Sequence, residues 1–172
     1  MNKKTYLIDT NILIESKNRY YSFSICPGFW DALILQDSQS TIMSIDKVKD
    51  EINRYKYEDD LKAWVNSAIP DSFFKSTENA ETIKYYGEII NWVQGNPQFL
   101  PEAKAEFIQD ECDPWLIAFA KANNCVLITN EVIKKEAKAK VPIPNVCGQF
   151  NIECQSPFKM LEELGIQFSL KI

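Results

Sequence analysis

The sequence contains no histidine, and this absence excludes several classes of function at once. Ser-His-Asp and Cys-His catalysis, histidine general bases and histidine-ligated metal sites are all ruled out. The five cysteines form no Cys-x-x-Cys pair, so we expect reduced, mostly buried thiols and no zinc site. If the protein is an enzyme, we expect carboxylates to do its chemistry, with or without a metal.

Long apolar runs are also missing. No segment approaches the ~18 apolar residues that a membrane span needs. The apolar stretch near the N-terminus is interrupted by Asp9, which makes it a poor signal peptide, so we expect a cytoplasmic protein without membrane contact. The net charge of -5 argues against a protein that coats nucleic acid electrostatically. The length predicts a single domain, residues 1–172, with a substantial core.

The first informative pattern is a buried strand at residues 6–8 that ends on Asp9. Thr10 and Asn11 follow as helix-starting residues, and an apolar helical pattern comes next. In parallel α/β sheets, ligands bind at the carboxyl ends of the strands, which is where this sequence places Asp9. An aspartate after a strand is more commonly a cap or turn residue, so a functional role for Asp9 requires partners elsewhere in the chain.

Glu51 is the second candidate. A buried strand is predicted at residues 41–43, with Ser44 as the N-cap of the next helix. On that helix Glu51 lies along the apolar stripe that contains Val48 and Tyr55. A carboxylate on a buried stripe is costly unless it is paired or bound to a cation, or reaches water from the edge of the stripe.

Two further carboxylates follow the same logic. Asp113 is predicted to cap a central, almost wholly apolar helix whose first residue is Pro114. The clearest strand, residues 125–128, leads through Thr129 to Glu131, and a helix is predicted from there through Lys138.

The remaining segments complete an α/β pattern. Residues 58–108 are predicted to form an extra helical segment, 141–144 an extended linker, 145–154 a last inner strand and 166–170 an edge strand. Strands that alternate with helices predict a three-layer α/β/α fold with a central, mostly parallel sheet. Asp9, Glu51, Asp113 and Glu131 can then converge on one edge of that sheet. Because crowded carboxylates repel each other, the cluster needs a cation, and oxygen ligands favour Mg²⁺ or Mn²⁺.

These motifs resemble those of the PIN-domain family of metal-dependent nucleases, and in particular the PIN-like ribonucleases of toxin–antitoxin pairs. The resemblance rests on four motifs in the right order across nearly the whole chain: Leu7-Ile8-Asp9-Thr10-Asn11, Val48 with Glu51, Asp113 with Leu116, Ala118 and Ala120, and Leu127-Ile128-Thr129 with Glu131. It implies a PIN-like α/β/α fold and hydrolysis of RNA phosphodiester bonds at a carboxylate-bound metal. It also implies an antitoxin protein as a partner, and a homodimer.

Carried over to this chain, the resemblance assigns a role to each residue. Asp9, Glu51 and Asp113 would hold Mg²⁺ or Mn²⁺, and Glu131 would orient the attacking water or hold a second ion. Thr10, Asn11 and Thr129 would hydrogen-bond the carboxylates. Lys47 and Arg54 in one basic run, and Lys134 and Lys135 in another, would hold the RNA backbone if these runs border the site. The simpler interpretation of both runs is a solvated helix face.

The chain departs from the family pattern in two places. Glu131 follows Asn130 where the family usually has an aspartate after a small residue, and the segment 58–108 is longer than compact members need. Two alternatives therefore remain open. One is a PIN-like module that binds RNA or protein without cleaving. The other is a phosphatase with Asp9 as nucleophile, although Asn11 stands where such enzymes need a second aspartate.

Overall fold

A central parallel sheet of five strands organises the molecule. The structure is a computed structural model that describes residues 4–56 and 59–169. Its strands are β1 (Tyr6–Ile8), β2 (Ile42–Ile45), β3 (Phe74–Lys75), β4 (Val126–Ile128) and β5 (Cys154–Gln155). They lie in the order β3-β2-β1-β4-β5, and every pairing is parallel. In the centre, Leu7 pairs with Met43 on one side and with Leu127 on the other.

Helices cover both faces of this sheet, so the predicted three-layer α/β/α fold is confirmed. They are α1 (Thr10–Glu15), α2 (Pro27–Ser38), α3 (Asp46–Arg54), α4 (Asp60–Ser67), α5 (Ala80–Gly95), α6 (Pro101–Gln109), α7 (Asp113–Asn123), α8 (Ile143–Gln149) and α9 (Pro157–Glu163). A π-helical segment, Ser16–Tyr20, continues α1, and a short 3-10 turn, Asp71–Phe73, precedes β3.

The predicted extra helical segment contains α4, α5 and α6, and it also supplies the edge strand β3. Helix α5 packs along α7, where the rings of Tyr86 and Trp115 stack with their centroids 4.0 Å apart. The segment therefore covers the central helix α7 and widens the sheet.

The central strands β1 and β4 are buried, in agreement with the wholly apolar sequence from which they are predicted. Leu7, Ile8 and Ile128 are completely buried, as expected for central strands covered on both faces. A group of stacked and edge-on rings, Phe23, Trp30, Trp64 and Phe73, fills the layer beside β2 and α2.

The predicted N-cap at Ser44 is wrong. Ser44 lies inside β2 and is fully buried, and its Oγ donates a hydrogen bond to the carbonyl oxygen of Ile8 at 2.7 Å. The strand continues to Ile45, which occupies the N-cap position without a side-chain hydrogen bond. The hydroxyl that suggested a cap thus joins β2 to β1.

We expect Ser44→Ala to lower the free energy of unfolding by about 1–2 kcal/mol, because it removes a buried hydrogen bond. Urea denaturation measures the difference. Ser38→Ala is the matched control, since the Ser38 hydroxyl donates to the Leu35 carbonyl at 2.6 Å on an exposed helix end. Equal losses in the two variants would contradict a special role for the buried bond.

The prediction of a helix through Lys138 is also wrong, because residues 129–142 contain no helix. Their backbone groups bond to neighbouring segments instead. Leu100 N–H donates to the Lys138 carbonyl, and the Gln98 side chain donates to the Lys135 and Ala137 carbonyls. The connection between α5 and α6 therefore fixes this segment as an irregular loop.

Near the C-terminus the predicted linker and inner strand are largely replaced by α8. The prediction of an extended segment at 141–144 is wrong at its end, because α8 begins at Ile143, and Pro144 lies in its first turn, where proline is well tolerated. The inner strand predicted over 145–154 is therefore wrong except at Cys154, where β5 begins. Residues 166–169 form no strand, and residue 170 lies outside the described residues.

Within residues 4–56 and 59–169, no helix combines the length and apolar character required to cross a membrane. All five cysteines are free thiols, and Cys112, Cys125 and Cys147 are buried, as predicted.

Candidate carboxylate site

The carboxyl ends of β1 and β4 bring the first candidates together. The two strands are parallel neighbours, and the Asp9 N–H donates to the Ile128 carbonyl oxygen at 3.2 Å. Thr129, the residue after β4, donates from its Oγ1 to Asp9 Oδ2 at 3.3 Å. The chain therefore positions Asp9 and Thr129 side by side at one edge of the sheet.

Asp9 combines the role of a helix cap with deep burial. Its side chain is 1% exposed and caps α1 by accepting the Asn11 N–H at 3.4 Å. Burial is the main cause that raises the pKa of Asp9 to about 7. The nearby Glu131 and Glu51 carboxylates contribute to this increase, and the hydrogen bond from the Asn11 N–H opposes it. A buried carboxyl among other carboxylates is a group that a cation would stabilise.

Asp113 is not the N-cap that the sequence predicted. It is the first residue of α7, and the cap position belongs to Cys112. The carboxylate of Asp110 accepts the backbone N–H groups of Cys112 at 2.7 Å and Asp113 at 2.8 Å. Because Asp110 satisfies these donors, the Asp113 carboxylate is not needed for capping.

The environment of Asp113 is strongly acidic. Burial, together with the charges of Asp9, Asp110 and Glu131, raises the pKa of Asp113 to about 8. The Lys140 ammonium acts in the opposite direction. The Asp9 charge therefore contributes to the raised pKa of Asp113, and both acids have pKa values well above the ordinary value of 3.8.

Glu51 reaches the same region from α3. Its Oε2 accepts a hydrogen bond of 2.6 Å from Thr10 Oγ1, which also lies 3.5 Å from Cys112 Sγ. Thr10 is buried, whereas Glu51 is partly exposed. Thr10 thus connects α1, α3 and the start of α7, and holds the Glu51 carboxylate in place.

Glu131 is close to the cluster but is bound by other partners. Its carboxylate accepts the Ile143 N–H at 2.8 Å and forms an ion pair with Lys140. Its backbone N–H donates to Thr129 Oγ1 at 3.2 Å. In this structure the Glu131 carboxylate is therefore turned towards the start of α8 while its charge still acts on Asp9 and Asp113.

The four predicted RNA-binding cations occupy different surfaces. Lys47 and Arg54 line a cavity of about 230 Å³ together with Glu51, although Arg54 is paired with Glu111. Lys134 lines a larger cavity that also includes Thr129 and Glu131. Lys135 lines a separate depression beside Trp92 and Gln98. Three of the four cations therefore flank the carboxylates.

The candidate ligands are carboxylate oxygens, which suit a hard divalent cation such as Mg²⁺ or Mn²⁺. Two of these acids, Asp9 and Asp113, are buried and have raised pKa values. The side chains of these acids do not form a complete coordination shell in this structure. Among the residues that the structure describes, no group of three or more Asp, Glu or Cys side chains is arranged to hold a metal ion. Glu131 is instead directed to protein donors.

Sequence reasoning missed two charged residues of this region. Asp110 accepts the backbone N–H groups of Cys112 and Asp113 in the turn that precedes α7. Lys140 pairs with Glu131 across a loop, and no local pattern indicates that contact.

Two solved structures share this fold. One is described as the structure of FitAB bound to an IR36 DNA fragment; it is 13% identical, with a TM-score of 0.54 over 90% of this chain and 96% of that chain. The other is the crystal structure of FitAcB from Neisseria gonorrhoeae, also 13% identical, with a TM-score of 0.53 over 90% of this chain and 99% of that chain. At this identity the likeness shows the fold alone, which agrees with the α/β/α architecture described above.

No curated protein matches the sequence. A family model described as a domain of unknown function, DUF4411, matches residues 6–168, which is almost the whole chain. The chain therefore belongs to the DUF4411 family.

Proposed function

We propose that this protein is a metal-dependent endoribonuclease that acts as the toxin of a toxin–antitoxin pair. The observation that carries the proposal is the pair of crowded acids, Asp9 and Asp113, whose pKa values are raised to about 7 and about 8. Raised carboxyl pKa values at the ligand-binding edge of a parallel sheet are typical of functional sites. The PIN-like fold supports the same class of activity by analogy.

Asp9 and Asp113 would hold Mg²⁺ or Mn²⁺, with Glu51 as a third oxygen donor positioned by Thr10. When bound, the ion supplies Lewis acidity, which lowers the pKa of water and offsets charge on the phosphoryl oxygens. Thr129 and Asn11 keep Asp9 oriented through their hydrogen bonds. Lys47, Arg54 and Lys134 would bind phosphates on either side of the carboxylates.

Glu131 would orient the attacking water once its carboxylate is released from Lys140 and the Ile143 N–H. In the reaction, the water oxygen bonds to phosphorus and the phosphodiester P–O bond breaks. The leaving oxygen takes up a proton, and the products are a phosphomonoester and a hydroxyl group.

The ion pair between Glu131 and Lys140 is the specific observation that favours the second candidate, a PIN-like module that binds RNA or protein without cleaving it.

The test is cleavage of a set of single-stranded and structured RNAs with Mg²⁺, with Mn²⁺ and with a chelator. We expect cleavage with either ion and none with the chelator. Asp113→Asn, purified in parallel and checked for folding by circular dichroism, controls for contaminating nucleases. Absence of cleavage by folded wild-type protein under every condition, with RNA binding retained, would support the binding module instead.

An antitoxin partner belongs to the same proposal. Val132 and Ile133 are 64% and 60% exposed on the loop after β4, so an apolar surface adjoins the carboxylate site. A partner that covers this loop would restrict access to Asp9 and Asp113. A homodimer, also expected from the PIN-like resemblance, would be detected by light scattering of the purified chain.

A further inference from the structure

A cavity of about 590 Å³ opens beside the carboxylate site. Thr129 and Glu131 belong to its lining, and Thr129 is hydrogen-bonded to Asp9. Tyr20 and Phe158 also line it. The cavity therefore connects the candidate carboxylate cluster with two aromatic side chains, and its volume suits a ligand of nucleotide size.

The two rings are unusually exposed for aromatic side chains. Tyr20 is 58% exposed and Phe158 is 53% exposed, and their centroids lie 5.8 Å apart at an interplanar angle of 76°. Tyr20 ends the π-helical segment after α1, and Phe158 lies in the first turn of α9. Two distant parts of the chain thus bring the exposed rings of Tyr20 and Phe158 to one cavity, where a flat ligand can stack on them.

The charges around the cavity are mostly compensated. Arg19 pairs with Glu15, and Lys140 pairs with Glu131. Lys134 forms no ion pair with any acid in the described part of the chain, although its backbone bonds to Asn145. The lining also includes the exposed side-chain amides of Asn11 and Asn130, which can donate and accept hydrogen bonds.

We propose that this cavity binds one unpaired nucleotide of single-stranded RNA next to the phosphodiester at the carboxylates. The base stacks on Tyr20 or Phe158, Lys134 contacts a phosphate, and the Asn11 and Asn130 amides contact the edge of the base. This inference rests on the proposed nuclease function and names its substrate class. A duplex cannot offer a free base face to the two rings, so the cavity selects single strands.

Binding is measured with the full chain in chelator, which prevents cleavage. The labelled ligands are a single-stranded RNA of about ten nucleotides, the same strand with abasic nucleotides, and a duplex; this length covers the footprint of common single-strand binding sites. Tyr20→Leu and Phe158→Leu remove the ring but keep an apolar side chain. Tyr20→Phe retains the ring, and Leu35→Ala changes an equally exposed apolar residue on α2 as a control.

We expect each leucine variant to bind the single strand about tenfold more weakly, because stacking on an aromatic ring is lost. Tyr20→Phe and Leu35→Ala should bind like the wild type. The wild type should bind the abasic strand and the duplex weakly. The leucine substitutions should not reduce its affinity for these two ligands further. Undiminished binding by both leucine variants, or equal wild-type affinity for strand and duplex, would overturn the inference.

A parallel cleavage assay with Mn²⁺ separates the two proposals. Ring-dependent binding without cleavage would overturn the nuclease and leave the nucleotide site standing. Cleavage that is insensitive to both leucine substitutions would support the nuclease and overturn the nucleotide site. Failure of folded wild-type protein to bind any RNA would overturn the nucleotide site.

Discussion

Asp9→Asn will stabilise the metal-free protein and at the same time strongly reduce metal-dependent cleavage. The substitution keeps the shape of a side chain that is 1% exposed. The amide oxygen can still accept the Asn11 N–H, and the amide NH2, in the place of Oδ2, can donate to the Thr129 hydroxyl oxygen. It removes a negative charge that burial and the Glu131 and Glu51 carboxylates disfavour. Gain of stability with loss of activity is typical of a site that is strained without its ligand.

The sign of the pH dependence follows from the raised pKa. The pKa of Asp9 increases from 3.8 in the unfolded chain to about 7 in the folded protein, so the folded state prefers the protonated acid. Below the unfolded pKa this preference costs nothing, and stability is lost as the pH rises through the folded value. The wild-type free energy of unfolding should therefore fall between about pH 4 and about pH 7, and the Asp9→Asn variant should lose that part of the decrease.

At about pH 8 we expect Asp9→Asn to gain about 1–3 kcal/mol, well within the roughly 4 kcal/mol that a three-unit pKa shift represents. This corresponds to an increase in Tm of about 3–10 °C for a chain of this length. Mn²⁺ should raise the wild-type Tm and leave that of the variant nearly unchanged. Cleavage should fall by about 100-fold or more if the carboxylate holds the ion.

Thermal unfolding in chelator and in Mn²⁺, at about pH 5 and about pH 8, measures these effects. Asp31→Asn, an exposed acid on α2, is the matched control and should change neither stability nor the response to Mn²⁺. A variant that is less stable than the wild type at the higher pH would show that Asp9 acts mainly as a helix cap. An unchanged response to Mn²⁺ would remove Asp9 from the proposed site.

The sheet could be predicted because its central strands are short, wholly apolar and buried on both faces, as at Tyr6–Ile8 and Val126–Ile128. Ser44 misled the prediction because a serine before an apolar helix suits both a cap and a buried strand, and only the Ile8 carbonyl decides between them. The loop 129–142 has a helix-compatible composition, yet contacts with Gln98 and Leu100 determine its path. Such long-range contacts leave no local pattern in the sequence.

The candidate site also combines residues that local sequence patterns indicate with contacts that they do not. Asp9 and Asp113 come at the ends of recognisable elements, and the structure places them within electrostatic reach of each other. The orientation of Glu131 depends on Lys140 and on the start of α8, neither of which its neighbours in sequence indicate. The aromatic cavity combines Tyr20 and Phe158 from opposite ends of the chain, so only the fold reveals it. Sequence therefore indicates which acids can act, and tertiary contacts determine what surrounds them.

Thr10→Val should weaken Mn²⁺ binding and RNA cleavage by about 10- to 100-fold, the range typical of groups that orient metal ligands. Valine fits the space of threonine but cannot donate the hydrogen bond of 2.6 Å to Glu51 Oε2. Thr10 is 2% exposed, so water cannot easily replace the lost donor. The Glu51 carboxylate would then turn towards the solvent and lose its fixed position beside Asp9.

Thr10→Ser retains the hydroxyl and separates positioning from packing. Serine removes a methyl group from a buried position, so it should cost some stability yet keep Mn²⁺ affinity within about threefold of the wild type. Titration calorimetry with Mn²⁺ and urea denaturation of both variants measure affinity and stability independently. If Thr10→Val binds Mn²⁺ like the wild type while Thr10→Ser does not, Thr10 serves packing alone, and Glu51 requires no hydrogen-bond donor to reach the site.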